Sequence, residues 1–149
     1  MQETVYDTNV PIYLQLIEKI QRMIVTGEWR AGERIPAVRE MALAFGVNPN
    51  TMQRALAELE RDGLLYSERT SGRFVTEDQA HILRLRDSLA GAVLREFLSR
   101  MEGLGCKREE ILPLLRRELE GTGGTAEPTR EKRENHEQAC RIAGDRQTL

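Results

Sequence analysis

From Tyr13 the apolar positions Leu16, Ile17, Ile20 and Ile24 recur at helical spacing, which predicts an amphipathic helix opened by Pro11 and closed by Gly27. Trp29 and Ala31-Gly32-Glu33 make a turn, and Arg34-Ile35 is too short for more than a minimal strand. Pro36 starts a second helix over 37–45, with Val38, Met41, Ala42 and Phe45 inward and Gly46 as its stop. The third helix carries the fullest set of signals. Asn48 is a good N-cap, Pro49 falls at the first helical position, Met52, Ala55, Leu56 and Leu59 form the buried face, and Gly63 ends it. Two strand-like runs, 64–66 and 73–75, flank Ser71-Gly72 and read as a hairpin. Helix, minimal strand, helix, short turn, helix, hairpin is the order of a winged helix-turn-helix.

Beyond this domain, assigned to 1–76, residues 78–103 place Ile82, Leu85, Leu89, Val93, Phe97 and Met101 on one helical stripe. Leu83, Ala90, Leu94 and Leu98 form a second, adjacent stripe. So wide an apolar surface exceeds what one surface helix needs to cover its own domain. Gly103-Leu104-Gly105 breaks the helix, and residues 107–120 form another, with Ile111, Leu112, Leu115 and Leu119 apolar and Pro113 inviting a kink. Two such helices bury their stripes on a second copy, so 77–120 is expected to be a dimerisation or effector region with Leu85, Leu89, Val93 and Phe97 at the interface. From Gly121 the composition turns to Gly, Thr and charge, and 121–149 is expected to be a flexible tail. Residues 1–10 read as a short polar leader. The fold class is α+β, mostly α: an N-terminal winged helix-turn-helix followed by a short two-helix region.

Composition narrows the function without naming it. A chain of 149 residues has no room for a two-lobed dehydrogenase or an eightfold barrel. Cys106 and Cys140 show no paired or metal-ligating spacing and read as free thiols. His81 and His136 are isolated. No nucleophile, base and orienter set is visible, and no phosphate loop, so neither an enzyme nor a cofactor is expected. The longest uncharged run, 41–53, is 13 residues and contains Gly, Asn and Pro, far from a membrane span. The chain opens Met1-Gln2-Glu3, with no secretory pattern, so a soluble, cytoplasmic protein is expected. The 22 basic and 24 acidic residues nearly cancel, and 1–76 alone holds nine against ten. A DNA-binding role therefore requires the positive charge to be gathered on one face, at Arg39, Arg54, Arg69 and Arg73.

The second helix of a helix-turn-helix enters the major groove with its N-terminal residues. Here these are Asn48, Asn50, Thr51, Gln53 and Arg54, a set able to read adenine, guanine and thymine edges. Arg39 lies near the start of the preceding helix. The hairpin presents Arg69, Thr70, Ser71, Gly72 and Arg73 to phosphate or minor groove. Each has a plainer alternative. Asn48 caps its helix with or without DNA, Thr51 and Gln53 sit equally well in solvent, Arg54 is four residues from Glu58, Arg39 has acids nearby, and a wing tip is often merely solvated. A protein-interaction winged helix is the rival function.

Residues 11–76, 66 of 149, resemble the GntR family of bacterial transcription regulators. The matching runs are Pro11-Ile12-Tyr13, Gly32-Glu33-Arg34-Ile35-Pro36, Val38-Arg39-Glu40, Gly46-Val47, Asn48-Pro49-Asn50-Thr51, Arg54-Ala55, Leu59-Glu60, Asp62-Gly63-Leu64 and Gly72-Arg73-Phe74-Val75. The Asn48-Pro49-Asn50-Thr51 run and the short C-terminal part resemble the YtrA subfamily. The resemblance implies a dimeric, sequence-specific repressor on a palindromic operator. It assigns DNA contact to Arg39, to the start of the recognition helix and to the wing tip from Arg69 to Gly72. Control of a transporter operon is implied by analogy alone. A small-molecule effector stays open, since 77–120 leaves little room for an enclosed pocket in one subunit. Three departures stand out: Ala37 replaces a capping Ser, Pro49 and Asn50 replace a basic residue, and Glu68 reduces the charge of the wing.

Overall fold

The computed structural model describes residues 4–121. The chain divides into two compact units, 1–96 and 97–149. The tail expected over 121–149, with His136 and Cys140, lies outside the described residues apart from Gly121.

In the first unit, α1 (Ile12–Val25), α2 (Val38–Phe45) and α3 (Pro49–Arg61) are followed by the strands β1 (Leu65–Glu68) and β2 (Gly72–Val75). The helix α4 (Gln79–Gly103) begins in this unit. Leu16, Ile20 and Ile24 of α1 meet Met41 and Ala42 of α2 and Met52, Ala55, Leu56 and Leu59 of α3. Ile35, Leu64, Leu65, Val75 and Ile82 close the same core, with Leu85 and Trp29, the chain's single tryptophan, packed against its edge. Every helix face predicted inward is thus inward, with Tyr13, Ile17, Val38 and Phe45 half-buried at its margin.

The helix boundaries follow local chemistry. Asn48 caps α3, its Oδ1 accepting from the Asn50 N–H at 2.8 Å, with Pro49 where its missing N–H leaves nothing unsatisfied. Gly46, at φ 67°, ends α2 in the left-handed conformation that glycine adopts without Cβ strain. Ala37 is the N-cap of α2 and offers no side-chain hydrogen bond, so that helix starts one residue later than its pattern suggested.

β1 and β2 form an antiparallel hairpin in which Leu65 faces Val75, Tyr66 faces Phe74, Ser67 faces Arg73 and Glu68 faces Gly72. The minimal strand is present as a bridge between Arg34 and Phe74. It is held by Ile35 N–H to the Arg73 carbonyl and Val75 N–H to the Glu33 carbonyl, each at 2.9 Å.

The described part of the second unit contains the end of α4 and α5 (Arg108–Gly121). The Glu110 carboxylate accepts from the Lys107 N–H at 2.8 Å, which satisfies an end group at the start of α5. Pro113 lies inside α5, Ile111 is buried, and Leu112 is exposed.

Candidate nucleic-acid interface

The first turn of α3 has its Asn50 N–H satisfied by the Asn48 cap and points short polar side chains outward. Asn48, Asn50 and Gln53 are exposed and Thr51 is half-buried. Asn48 spends its carbonyl on the cap and keeps its amide nitrogen free to donate. Arg39, the second residue of α2, is exposed, and no carboxylate lies within ion-pairing distance of it among the described residues. The ion pair of Arg54 with Glu58 does not form, because Glu58 is taken by Arg61 at 3.1 Å. The Arg54 guanidinium instead lies over the ring of Tyr13, 3.8 Å from its centroid, which ties α3 to α1 and fixes the direction of that cation.

The described part of the leader, residues 4–10, is mostly exposed but tethered by hydrogen bonds. The Tyr6 hydroxyl donates to the carbonyl of Phe45, the last residue of α2, at 2.6 Å. Burial pushes the Tyr6 phenol above its ordinary pKa, against a smaller opposite effect from its hydrogen bond with Thr4. Gln15 holds the same segment by donating to the carbonyls of Asp7 and Val10 and accepting from the Asp7 N–H, each at 2.8 Å. Lys19 donates to the Thr4 hydroxyl and lies over the Phe45 ring. Residues 4–10 are therefore tied to α1 and to the end of α2, a role their sequence did not signal.

The wing splits its candidate residues by strand alternation. Leu65 and Val75 face the core, so Arg73, two residues before Val75, faces the same way. Its guanidinium reaches Glu60 of α3 at 3.3 Å, with the Arg73 side chain 17% exposed and its Nε buried without a partner. Tyr66 and Phe74 occupy the outer face as a stacked pair with centroids 5.5 Å apart. Arg69 and Thr70 at the tip are exposed, and Ser71 is half-buried. Gly72 adopts φ 108°, and a Cβ built there would come within 3.0 Å of the Arg34 Nε. Arg34, which is not among the expected DNA-contacting residues, therefore lies against the wing turn.

Along α4, Leu85 is packed on the core of its own unit, Leu89 and Phe97 are half-buried, and Val93 is exposed. The adjacent stripe is open: Leu83, Leu94 and Leu98 are all exposed, Leu94 by 54%. A groove of about 470 Å³ lined by Trp29, Ala31, Ile82 and Leu83 opens to solvent. Among the described residues no group of His, Cys, Asp and Glu could hold a metal, and no helix is long and apolar enough to cross a membrane.

Residues 12–75 match the bacterial regulatory proteins of the gntR family. The uncharacterized HTH-type transcriptional regulator YhcF of Bacillus subtilis (strain 168) is 38% identical over 116 residues, 78% of this chain and 96% of its own length. The HTH-type transcriptional repressor YtrA of the same organism is 35% identical over 71 residues, 48% of this chain and 55% of its own. A solved GntR family transcriptional regulator from Listeria monocytogenes is 38% identical, has a TM-score of 0.69, and is matched over 75% of this chain and 98% of its own. Two relatives are thus matched almost end to end, and all three are regulators rather than enzymes. A winged helix-turn-helix core, a polar recognition-helix start and this shared length agree: the chain belongs to the GntR family of bacterial transcription regulators and carries that family's DNA-binding domain.

Proposed function

We propose that this chain is a repressor that binds a palindromic operator duplex as a homodimer. The observation that carries the reading is the first turn of α3, where Asn48, Asn50 and Gln53 are exposed and Thr51 is half-buried, together with an exposed Arg39 near the start of α2 that no carboxylate pairs with among the described residues. Asn and Gln are suited to adenine edges and the Thr methyl to thymine, while Arg39 reaches backbone or guanine. Arg69, Thr70, Ser71 and Gly72 approach the neighbouring backbone from the wing. Arg54, stacked on Tyr13, contributes a directed positive charge at the flank of the helix. Arg73 is read as the anchor of the wing on α3 instead of as a contact, because Glu60 neutralises it. Repression is supported by the similarity to YtrA, a repressor by name.

The division at 76 and 120 becomes, in this proposal, a DNA-reading part and a helical pairing part. The exposed apolar stripe of α4 supports pairing with a second copy. Leu85 is held by its own subunit, so the centre of the interface moves to Leu83, Val93, Leu94 and Leu98. A dimer presents two recognition helices about 34–36 Å apart, one turn of duplex.

Selection of bound sequences from a random duplex pool, with the wild-type mass in solution measured alongside, tests the reading. An inverted repeat with half-site centres about 10–10.5 base pairs apart, bound by a dimer, is expected. Recovery of no sequence preference, or of a single half-site bound by a monomer, overturns it.

A further inference from the structure

The four arginines expected to gather positive charge on one face are Arg39, Arg54, Arg69 and Arg73, and one of them turns away from it. Arg73 points inward and is neutralised by Glu60, which leaves Arg69 as the only basic side chain of the hairpin free of a carboxylate. Arg34 restores the loss from a different part of the chain. It bridges Phe74, so the two residues share the outer face of the sheet, the face opposite Arg73. From there its side chain crosses diagonally to Gly72 at the end of the wing turn. Arg34 is exposed, and among the described residues no carboxylate, Glu68 across from Gly72 included, lies within ion-pairing distance of it.

Gly72 leaves this placement unobstructed. A Cβ there would meet the Arg34 Nε at 3.0 Å and its Nη2 at 3.4 Å, and the backbone at φ 108° disfavours any side chain. The bare turn leaves room for the Arg34 guanidinium against Gly72, the residue that follows Arg69, Thr70 and Ser71 in the wing. We propose that Arg34 is a phosphate-contacting residue of the wing, seated by Gly72. A planar guanidinium presents paired N–H donors that match phosphate oxygens, so an arginine here positions the wing without reading sequence.

This inference rests on the DNA-binding reading above, and one experiment separates the two. The full-length protein is titrated against a labelled duplex carrying its selected site, at salt from 50 to 200 mM, as wild type, Arg34→Gln, Arg34→Lys and Arg73→Met. Each lost phosphate contact lowers the slope of log affinity against log salt by about 0.9, a difference of about 3.5-fold over that salt range. Arg34→Gln is expected to flatten the slope by about that amount per subunit and to weaken selected and scrambled duplexes alike. Arg34→Lys, which keeps the charge, is expected to retain most of the slope, and Arg73→Met all of it. A wild type that binds with a steep slope while Arg34→Gln keeps that slope overturns the Arg34 assignment alone. Equal flattening in Arg34→Gln and Arg73→Met also overturns it, since both would then act through the shape of the wing. A wild type with no salt-dependent binding to any duplex overturns the DNA-binding reading itself.

Discussion

Glu60→Ala is expected to destabilise the protein by about 2 kcal/mol, whereas Arg73→Met is expected to cost less than about 1 kcal/mol. The two charges are 3.3 Å apart, with the Arg73 side chain 17% exposed and Glu60 35% exposed. Their gross attraction lies between about 1.3 kcal/mol at the dielectric of water and about 5 kcal/mol at an effective value of 20, before desolvation is counted. Removing one member of a fully buried pair costs about 3–5 kcal/mol, and a surface pair is worth about 0–1. This pair sits between those limits, and its two ends are not equivalent. Without Glu60, a mostly buried guanidinium has no counter-charge and an Nε that already lacks a partner. Without Arg73, Glu60 turns to the water it already touches, and Met preserves the packing of the arginine stem. Urea unfolding measures the asymmetry. With a slope of about 2 kcal/mol/M, Glu60→Ala shifts the midpoint down by about 1 M and Arg73→Met by less than half as much. Equal shifts, or a larger one for Arg73→Met, would refute the inference that Arg73 is an internal anchor of the wing.

Ala37→Ser supplies the missing cap of α2 and, with Glu40 three residues on, completes a capping box. Stability is expected to rise by about 1 kcal/mol and the melting temperature by about 4 °C, read by calorimetry. Arg39→Ala is expected to abolish operator binding in a mobility-shift titration while leaving the thermal melt unchanged, since its side chain is exposed and unpaired. Replacing Leu94 and Leu98 together with Asp is expected to give monomers in sizing chromatography with light scattering, whereas dimers that persist would exclude that stripe from the interface. Tyr6→Phe is expected to cost about 1 kcal/mol at neutral pH, by loss of the bond to the Phe45 carbonyl. Folded Tyr6 holds its proton more tightly than unfolded Tyr6, so its stabilisation is full below about pH 10 and lost as pH rises through the folded value. In alkaline denaturant titrations the Tyr6→Phe variant should therefore lose less stability than wild type between about pH 9 and 11.

The elements that could be read directly were those whose signals are local. Asn48, Pro49 and Gly63 bracket α3 by backbone chemistry alone, and the α4 pattern predicted from 78 begins at Gln79. The residues that escaped depend on pairing across the chain. Arg34 meets Gly72 only once the register of Arg34 with Phe74 is known, and no periodicity encodes that register. Tyr6 bonds a carbonyl 39 residues away, a contact with a backbone group that has no sequence signature. Arg73 is different, because its inward direction was available from Val75 by strict alternation along the strand. Its place among the contact candidates came from its charge, which is the weaker guide when the neighbouring face is a core. On α4 two apolar stripes were visible, but which one meets the parent unit depends on how the helix leaves Thr76 and Asp78. Leu85 lands on the core and Leu83 does not.

Trp29 gives the molecule a built-in optical asymmetry. As the chain's single tryptophan, half-buried at the edge of the 1–96 core, it reports the opening of that unit alone, while far-ultraviolet dichroism sums every helix, α5 included. Transitions that coincide by the two signals would mean that the described parts of the two units melt as one cooperative block, and transitions that separate would mean that the 1–96 unit and the helical segment beyond it unfold independently. The position of one indole ring thus allows a pair of routine spectra to count the folding units of the protein.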